Sequence, residues 1–323
     1  MLIGNDTVKR QLYIASIAAK KQNTSMPHIL FGGAPGCGKT SMARFIAKEA
    51  NVPFLSAIPD DMDSYKKIVS LFKKLNHDNY DSRGNRTGPV RPTIVWFDEI
   101  HRMPLVGQEI IGIAMENFLM ESGKPNKYVW LPYFTVAGAT TRAGDLSKPF
   151  RDRFKLTFNF EPYELDEMTA IVEYHSKRHG LEISKEGMEE IARRSRGTPR
   201  TAVGFIERVR DRALVEQEDC ASLELIASVF KDMGVDPRGF TNTELKIMST
   251  LLQADQPVGL DNLAIITGED RKTLKDVIEP FLIKEGMVMI GGKGRVLTDE
   301  GRKYLKDSGE LFKEEVDFDY KRI

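Results

Sequence analysis

His28-Ile-Leu-Phe-Gly-Gly-Ala-Pro-Gly-Cys-Gly-Lys-Thr40 runs from an apolar strand, Ile29 to Phe31, through a glycine-rich turn toward a helix. Gly33, Ala34, Pro35, Gly36, Cys37, Gly38, Lys39 and Thr40 fit the phosphate-loop pattern G-x-x-x-x-G-K-S/T position for position. The backbone N–H groups of such a turn surround phosphates, and a helix opening at Lys39 and Thr40 turns its positive end toward them. The pattern assigns Lys39 to the β and γ phosphates of ATP and Thr40 to Mg²⁺.

Pro92-Thr-Ile-Val-Trp-Phe-Asp98-Glu99 is an apolar run ending in two carboxylates. That is the pattern of a buried parallel strand delivering acids at its carboxyl end. Asp98 suits Mg²⁺, directly or through water, and Glu99 suits polarising an attacking water. Alone, the run also reads as a core strand entering an acidic turn. Beside the phosphate loop it reads as the other half of a nucleotide site.

At 323 residues the chain has room for two or three domains. Its 47 basic and 47 acidic side chains balance, so nucleic-acid contact has to come from local patches. Two cysteines, Cys37 and Cys220, exclude a disulfide framework and a four-thiolate zinc site. The start lacks the basic and apolar regions of a signal peptide, and no apolar run approaches the roughly 20 residues of a membrane span. The expectation is a soluble protein of the reducing cytoplasm, with no membrane partner.

Apolar residues recur at helical spacing from Asp6 to Lys21, with Asp6 as cap. Val52 to Ala57 reads as a strand and Ser64 to Leu75 as a helix. Residues 76–92 are polar, broken by Gly and Pro, and predict a long exposed loop. Gly107 to Met120 reads as a helix, Ser122-Gly-Lys-Pro-Asn as a hairpin turn, and Phe134 to Thr141 as a strand. Alternating strands and helices predict an α/β core with a parallel sheet over residues 1–162. Beyond Pro162 the pattern is helical (Leu165 to His179, Lys185 to Ser195, Pro199 to Val215, Ser222 to Met233), a second domain over 163–236. After Asp236-Pro237, helices near 241–253, 260–266 and 270–284 precede a hairpin around Gly-Gly-Lys-Gly, which reads as a winged helix over 237–306. The acidic remainder, 307–323, has only scattered apolar residues and reads as a weakly packed tail.

Arg271, Lys272 and Lys275 on the expected recognition helix, and Lys293 and Arg295 in the wing, are candidate DNA phosphate contacts. Acid and base balance across that domain, which leaves a protein-docking role open. His175 and His179, four apart on a predicted helix, lack a third metal ligand and read as a solvated face. Cys37 sits beside a helix N-terminus, where thiolate is favoured, but reads first as a small buried thiol.

The first two domains resemble the AAA+ P-loop ATPases. Asp98-Glu-Ile-His-Arg-Met, Gly138-Ala-Thr-Thr-Arg-Ala-Gly144, Phe150-Arg-Asp-Arg-Phe154, Arg194-Ser-Arg-Gly-Thr-Pro-Arg200 and Pro257-Val-Gly-Leu-Asp-Asn-Leu263 narrow the resemblance to the RuvB family, the Holliday-junction branch-migration motors. The likeness runs in order from about Ile3 to Leu305. It implies an AAA+ core, a helical lid and a winged helix. It also implies a homo-oligomer, expected to be a hexameric ring, acting on duplex DNA or four-way junctions. By the same resemblance Thr141 is the first sensor, touching the γ-phosphate or the attacking water. Arg153 is the arginine finger reaching a neighbouring subunit's nucleotide, and Arg200 is the second sensor. Without the family, Arg153 pairs as readily with Asp152, and Arg200 is an ordinary first-turn arginine.

Three departures stand out. The Arg-Pro segment that usually precedes the Ile-Gly aligned with Ile3-Gly4, and that helps enclose the adenine, has no counterpart ahead of Ile3. The hairpin between Glu116 and Phe134 is shorter by about six residues, a loop-length difference; in the family it docks on RuvA, so that partnership is in question. The loop at 76–92 is an addition. Two rivals stand beside the motor. One is a clamp-loader-like remodeller, against which Arg151-Asp-Arg153 stands where clamp loaders commonly carry Ser-Arg-Cys. The other is a DNA-tethered module in which nucleotide only stabilises the fold.

Overall fold

The structure is a computed structural model that describes residues 2–75, 87–89, 91–121, 128–254 and 256–313. Most of the loop expected at 76–92, the hairpin tip at 122–127 and the end of the tail at 314–323 lie outside the described residues. The chain divides into two compact units, Met1–Ala221 and Ser222–Ile323. This division falls ahead of the last helix that the sequence pattern groups with the lid.

The first unit opens with α1 (Asp6–Lys21), β1 (Ile29–Gly33), α2 (Lys39–Ala50), β2 (Phe54–Ala57), α3 (Tyr65–Phe72) and β3 (Thr93–Phe97). Next come α4 (Leu105–Asn117), the antiparallel pair β4 (Leu119–Glu121) and β5 (Tyr128–Trp130), and β6 (Phe134–Thr140). Then follow α5 (Lys148–Arg151), β7 (Leu156–Phe160), α6 (Leu165–Arg178), β8 (Glu182–Ile183), α7 (Lys185–Arg194), α8 (Pro199–Glu216) and β9 (Cys220–Ala221). Five strands form one parallel sheet in the order β2-β3-β6-β1-β7. Every residue of β3 and β6 is buried. Strands covered on both faces have no polar side to present, which is why both read as unbroken apolar runs.

The register brings the working ends together. Phe97 pairs with Gly138, Gly32 with Thr140 and Gly33 with Phe160. The phosphate loop, the Asp98-Glu99 turn and Thr141 therefore leave adjacent strands at the same edge. At the opposite edge His28 is buried between β1, β6 and α4. Its Nδ1 accepts the Val136 N–H at 2.9 Å, so Nε2 carries the proton and donates to the Met115 carbonyl at 2.9 Å. Burial lowers its pKa from 6.5 to about 4, against the opposing hydrogen bond to Met115.

Two local expectations are corrected within this unit, and one strand is unexpected. Asn5, not Asp6, occupies the cap position of α1. The helix expected to reach Met120 ends at Asn117, and Met120 lies in β4. Strand β7, Leu156-Thr-Phe-Asn-Phe160, alternates apolar and polar residues, the pattern of a half-buried strand, and is not among the elements expected.

The second unit holds α9 (Leu223–Asp232), α10 (Asn242–Gln253), α11 (Leu260–Thr267), α12 (Arg271–Thr273), α13 (Glu279–Lys284), β10 (Val288–Gly291), β11 (Gly294–Leu297) and α14 (Asp299–Lys313). Thr241 and Glu244 cap α10 reciprocally. Phe240, Met248, Leu263, Leu274, Leu282 and Met287 anchor the core of this three-helix and hairpin arrangement. The continuous helix expected over 270–284 is interrupted by a π-turn at Leu274–Ile278. Pro280 lacks an N–H and its ring crowds the carbonyl four residues back, at Asp276, so the ladder widens there. Helix α14 carries the chain through Lys313, into the segment read as a tail. Tyr304 on this helix packs on the winged-helix core and donates to Asp236.

Candidate nucleotide site

At the carboxyl edge of the sheet a cleft of about 420 Å³ is lined by Pro35, Gly36, Gly38, Lys39, Thr40 and Ser41, by Asp98 and Glu99, and by His175, Pro199, Arg200 and Val203. The loop has its shape for local reasons. Gly33 (φ 119°) lies so close to β7 that a Cβ would sit 2.2 Å from the Phe160 carbonyl oxygen. At Gly36 (φ 82°) a Cβ would sit 2.8 Å from Thr198 Cγ2 and 2.9 Å from Arg200 Cβ, so the start of α8 rests directly on the loop. Lys39 Nζ donates to the carbonyls of Gly33 and Ala34, both at 2.8 Å. Burial lowers the pKa of Lys39. Cys37, Glu99 and Asp98 pull it back up, and Arg200 lowers it further. Cys37 itself is fully buried, with Sγ toward the Pro35 carbonyl.

Glu99 takes up left-handed backbone (φ 48°), a conformation that strains a residue with a Cβ and recurs at functional sites. Its Oε2 accepts from the Thr141 hydroxyl at 3.3 Å and the Thr141 N–H at 3.4 Å. His101 Nδ1 lies 3.2 Å from the same oxygen and 3.0 Å from Thr140 Oγ1. Two residues 42 apart in sequence thus meet through adjacent strands. Sequence reasoning places both at strand ends but misses His101 and Thr140, whose roles need the strand order.

It also misses His175, which reads as a solvated position and which α6 instead turns into the cleft. Burial first, then Arg178 and His179, lowers the pKa of His175 and favours a neutral ring. Tyr163 carries no motif and gives no signal either. A Cβ on Gly38 would sit 3.1 Å from its hydroxyl, and one on Gly4 would sit 2.6 Å from its ring. Ile3 does not line the cleft; its neighbour Gly4 meets the loop region through Tyr163.

Arg153 stands apart from this cleft. Its guanidinium lines a separate hollow together with His28 and Glu116. In the second unit, Lys293 is exposed within the two-residue turn between β10 and β11, and Arg271 and Lys272 are exposed at α12. Arg271 pairs with Asp261 at 2.8 Å in a solvated bridge. Arg295 corrects the reading of the wing. Its Nε and Nη2 donate to Glu279 at 2.6 and 3.0 Å, with the arginine side chain 14% and the glutamate 3% exposed. A guanidinium held bidentate by a buried carboxylate is engaged within its own unit, unlike the exposed Lys293.

Three family models cover the chain: the Holliday junction DNA helicase RuvB P-loop domain at residues 1–160, the RuvB AAA lid domain at 163–236, and the RuvB C-terminal winged helix domain at 237–306. The Holliday junction branch migration complex subunit RuvB of Helicobacter pylori is 36% identical over 311 residues, covering 94% of this chain and 88% of that protein. Its counterpart in Streptococcus uberis is 36% identical over 312 residues, covering 94% and 89%. The solved Thermotoga maritima RuvB Holliday junction branch migration motor superposes with a TM-score of 0.76 at 30% identity, covering 94% of this chain and 95% of that one. A phosphate loop joined to a paired glutamate and threonine, followed by a lid and a winged helix that each match in order, leaves one conclusion: the chain belongs to the RuvB family of AAA+ ATPases, the branch-migration motors.

Proposed function

We infer that the chain is a Mg²⁺-dependent ATPase that closes into a ring, hexameric by family expectation, and draws duplex DNA through it to move a four-way junction. The observation that carries this reading is the meeting of Glu99 and Thr141 in a cleft that also holds Lys39 and Arg200. Glu99 would accept the proton of the attacking water, with Thr141 fixing the carboxylate's direction. Lys39 and Arg200 would neutralise charge on the phosphates from the loop and the lid.

Thr40 and Asp98 are hard oxygen donors in the same cleft, and among the described residues no cluster of three His, Cys, Asp or Glu could hold a metal. That donor set fits Mg²⁺, which takes few protein ligands and completes its shell with phosphate oxygens and water. When bound, the ion would shield the phosphate charge.

In this account residues 1–162 form the ATPase core, 163–236 the lid and 237–306 the DNA-binding winged helix. Arg153, pointing away from its own cleft, would complete a neighbour's site. A residue that does so calls for a head-to-tail interface that closes on itself. Lys293, Arg271 and Lys272 remain the candidate phosphate contacts. Among the described residues no helix is long and apolar enough to cross a membrane. Tyr128 and Val129 are exposed on β5, which favours a protein contact at the β4–β5 hairpin, where a RuvA-type partner would dock.

The test is ATP-driven separation of the arms of a synthetic four-way junction, with and without a RuvA-type protein. The expected result is separation that stops in Glu99→Gln, whose turnover falls roughly 10²-fold or more while ATP binding persists. ATP turnover without junction movement under either condition would instead favour the remodeller.

A further inference from the structure

The inferred finger is not simply exposed. Arg153 Nη1 donates to the Pro149 carbonyl at 2.6 Å and Nη2 to Glu116 Oε2 at 3.2 Å. Its side chain lies flat across α4 at Gly112, where a Cβ would sit 3.3 Å from both Cδ and Nε of the arginine. Nε is buried, and it has no hydrogen-bond partner among the described residues. An arginine folded back on its own subunit in this way is fastened at two points and unsatisfied at a third.

We propose that Glu116 is a positioning residue that stows the finger on its own subunit, and that docking into a neighbour's nucleotide site competes with this hold. The proposal rests on reading Arg153 as the finger. Three features make the hold reversible. Glu116 is 56% exposed, so the ion pair is a screened one of small net worth. The orphaned Nε regains partners when the side chain leaves, because a buried donor without an acceptor is unfavourable. The hollow beside the pair, about 400 Å³ and lined by Ser25, Phe118 and Lys155 among others, gives the arm room to swing without repacking the core. Gly112 is the groove in which the arm lies; an alanine there would press on the arm and on the buried Phe150 ring, each at 3.3 Å, without touching the arm's charge.

The consequence is a split between assembly and catalysis. Releasing the hold lowers what assembly must overcome, but leaves the finger in the same final place. ATP turnover per subunit is therefore measured across a range of protein concentrations for the wild type, Glu116→Gln and Gly112→Ala. Both variants are expected to reach half-maximal turnover at a protein concentration about 2- to 5-fold lower, the range a surface ion pair supplies, with the same plateau. In an Arg153→Ala background neither change should shift the half-maximal concentration of whatever turnover remains, or of nucleotide-dependent assembly followed by sedimentation. An equal shift without the arginine, a rise in the half-maximal concentration, or a fallen plateau in Glu116→Gln would overturn the stowing role. Failure of the finger reading itself looks different: Arg153→Ala would then turn over ATP like the wild type.

Discussion

Among the arginines that face a glutamate, Arg295 and Arg153 behave oppositely. Arg295 and Glu279 form a bidentate pair with the carboxylate 3% exposed, whereas Arg153 reaches Glu116 through one nitrogen with that carboxylate 56% exposed. The first has every reason to stay, since a buried charge left alone is strongly destabilising. The second has an orphaned Nε and a screened partner, and so has somewhere better to go. Residue type and local sequence do not separate them: both are basic residues beside turns, and both are candidates for function on sequence alone. Burial of the carboxylate and a bidentate grip on Nε and Nη2 separate Arg295 from Arg153, whose Nε has no partner among the described residues.

The largest expected effect breaks this comparison directly. Arg153→Ala should lower ATP turnover by roughly 10³-fold or more, the scale of a finger's contribution, while leaving thermal unfolding of the isolated chain nearly unchanged. A large fall in melting temperature would place Arg153 in the same class as Arg295.

Glu279→Ala is the mirror experiment. It leaves Arg295 charged in a nearly closed site and should destabilise the winged-helix unit by about 3–5 kcal/mol in denaturant titrations. Replacing both partners together by apolar residues, Glu279→Leu with Arg295→Met, should recover most of that loss. If Glu279→Ala unfolds normally yet loses DNA affinity, the pair belongs to the DNA interface after all.

How far the sequence can be read follows from where each contact lies. The phosphate loop is legible because Gly33 to Thr40 make one continuous turn, and β3 because a strand buried on both faces has to be apolar. The positions of Glu99 and Thr141 are legible as strand ends, but their contact, and that of His101 with Thr140, depends on β3 lying next to β6. His175 is misread because a helical spacing tells which residues share a face and not what that face meets. Arg295 is misread because its partner lies 16 residues away on another element, and the pairing is set by how the hairpin packs on α13.

Next in expected size comes a pH effect at the edge of the sheet that supports α4. His28 is neutral when folded, with its pKa lowered to about 4 against 6.5 unfolded. A lowered pKa means the unfolded chain takes up the proton first. The stabilisation is therefore complete above pH 6.5 and is lost progressively as pH falls toward 4, reaching about 3 kcal/mol. Urea unfolding of the first unit from pH 7 to pH 4 should show this slope, and His28→Gln should flatten it. An unchanged slope in the variant would assign the pH dependence to other groups.

The smallest effect sharpens the reading of the wing. With Arg295 held inward, Lys293→Ala alone should reduce the salt dependence of DNA binding by about one unit, because a single phosphate is no longer neutralised, and equally for unrelated duplexes. A change of zero would favour the protein-docking reading of the winged helix, and a loss confined to one sequence would indicate base readout.

The central claim is that the catalytic site is shared between subunits, and mixing tests it most directly. Lys39→Ala should be inactive for lack of nucleotide binding, and Arg153→Ala inactive for lack of a finger. In mixed rings, an Arg153→Ala subunit that binds ATP beside a Lys39→Ala subunit that supplies the finger forms a complete site. Turnover should therefore rise from near zero to a maximum at intermediate ratios. If mixed assembly is verified and no ratio recovers turnover, Arg153 does not act across the interface, and the account of the ring fails with it.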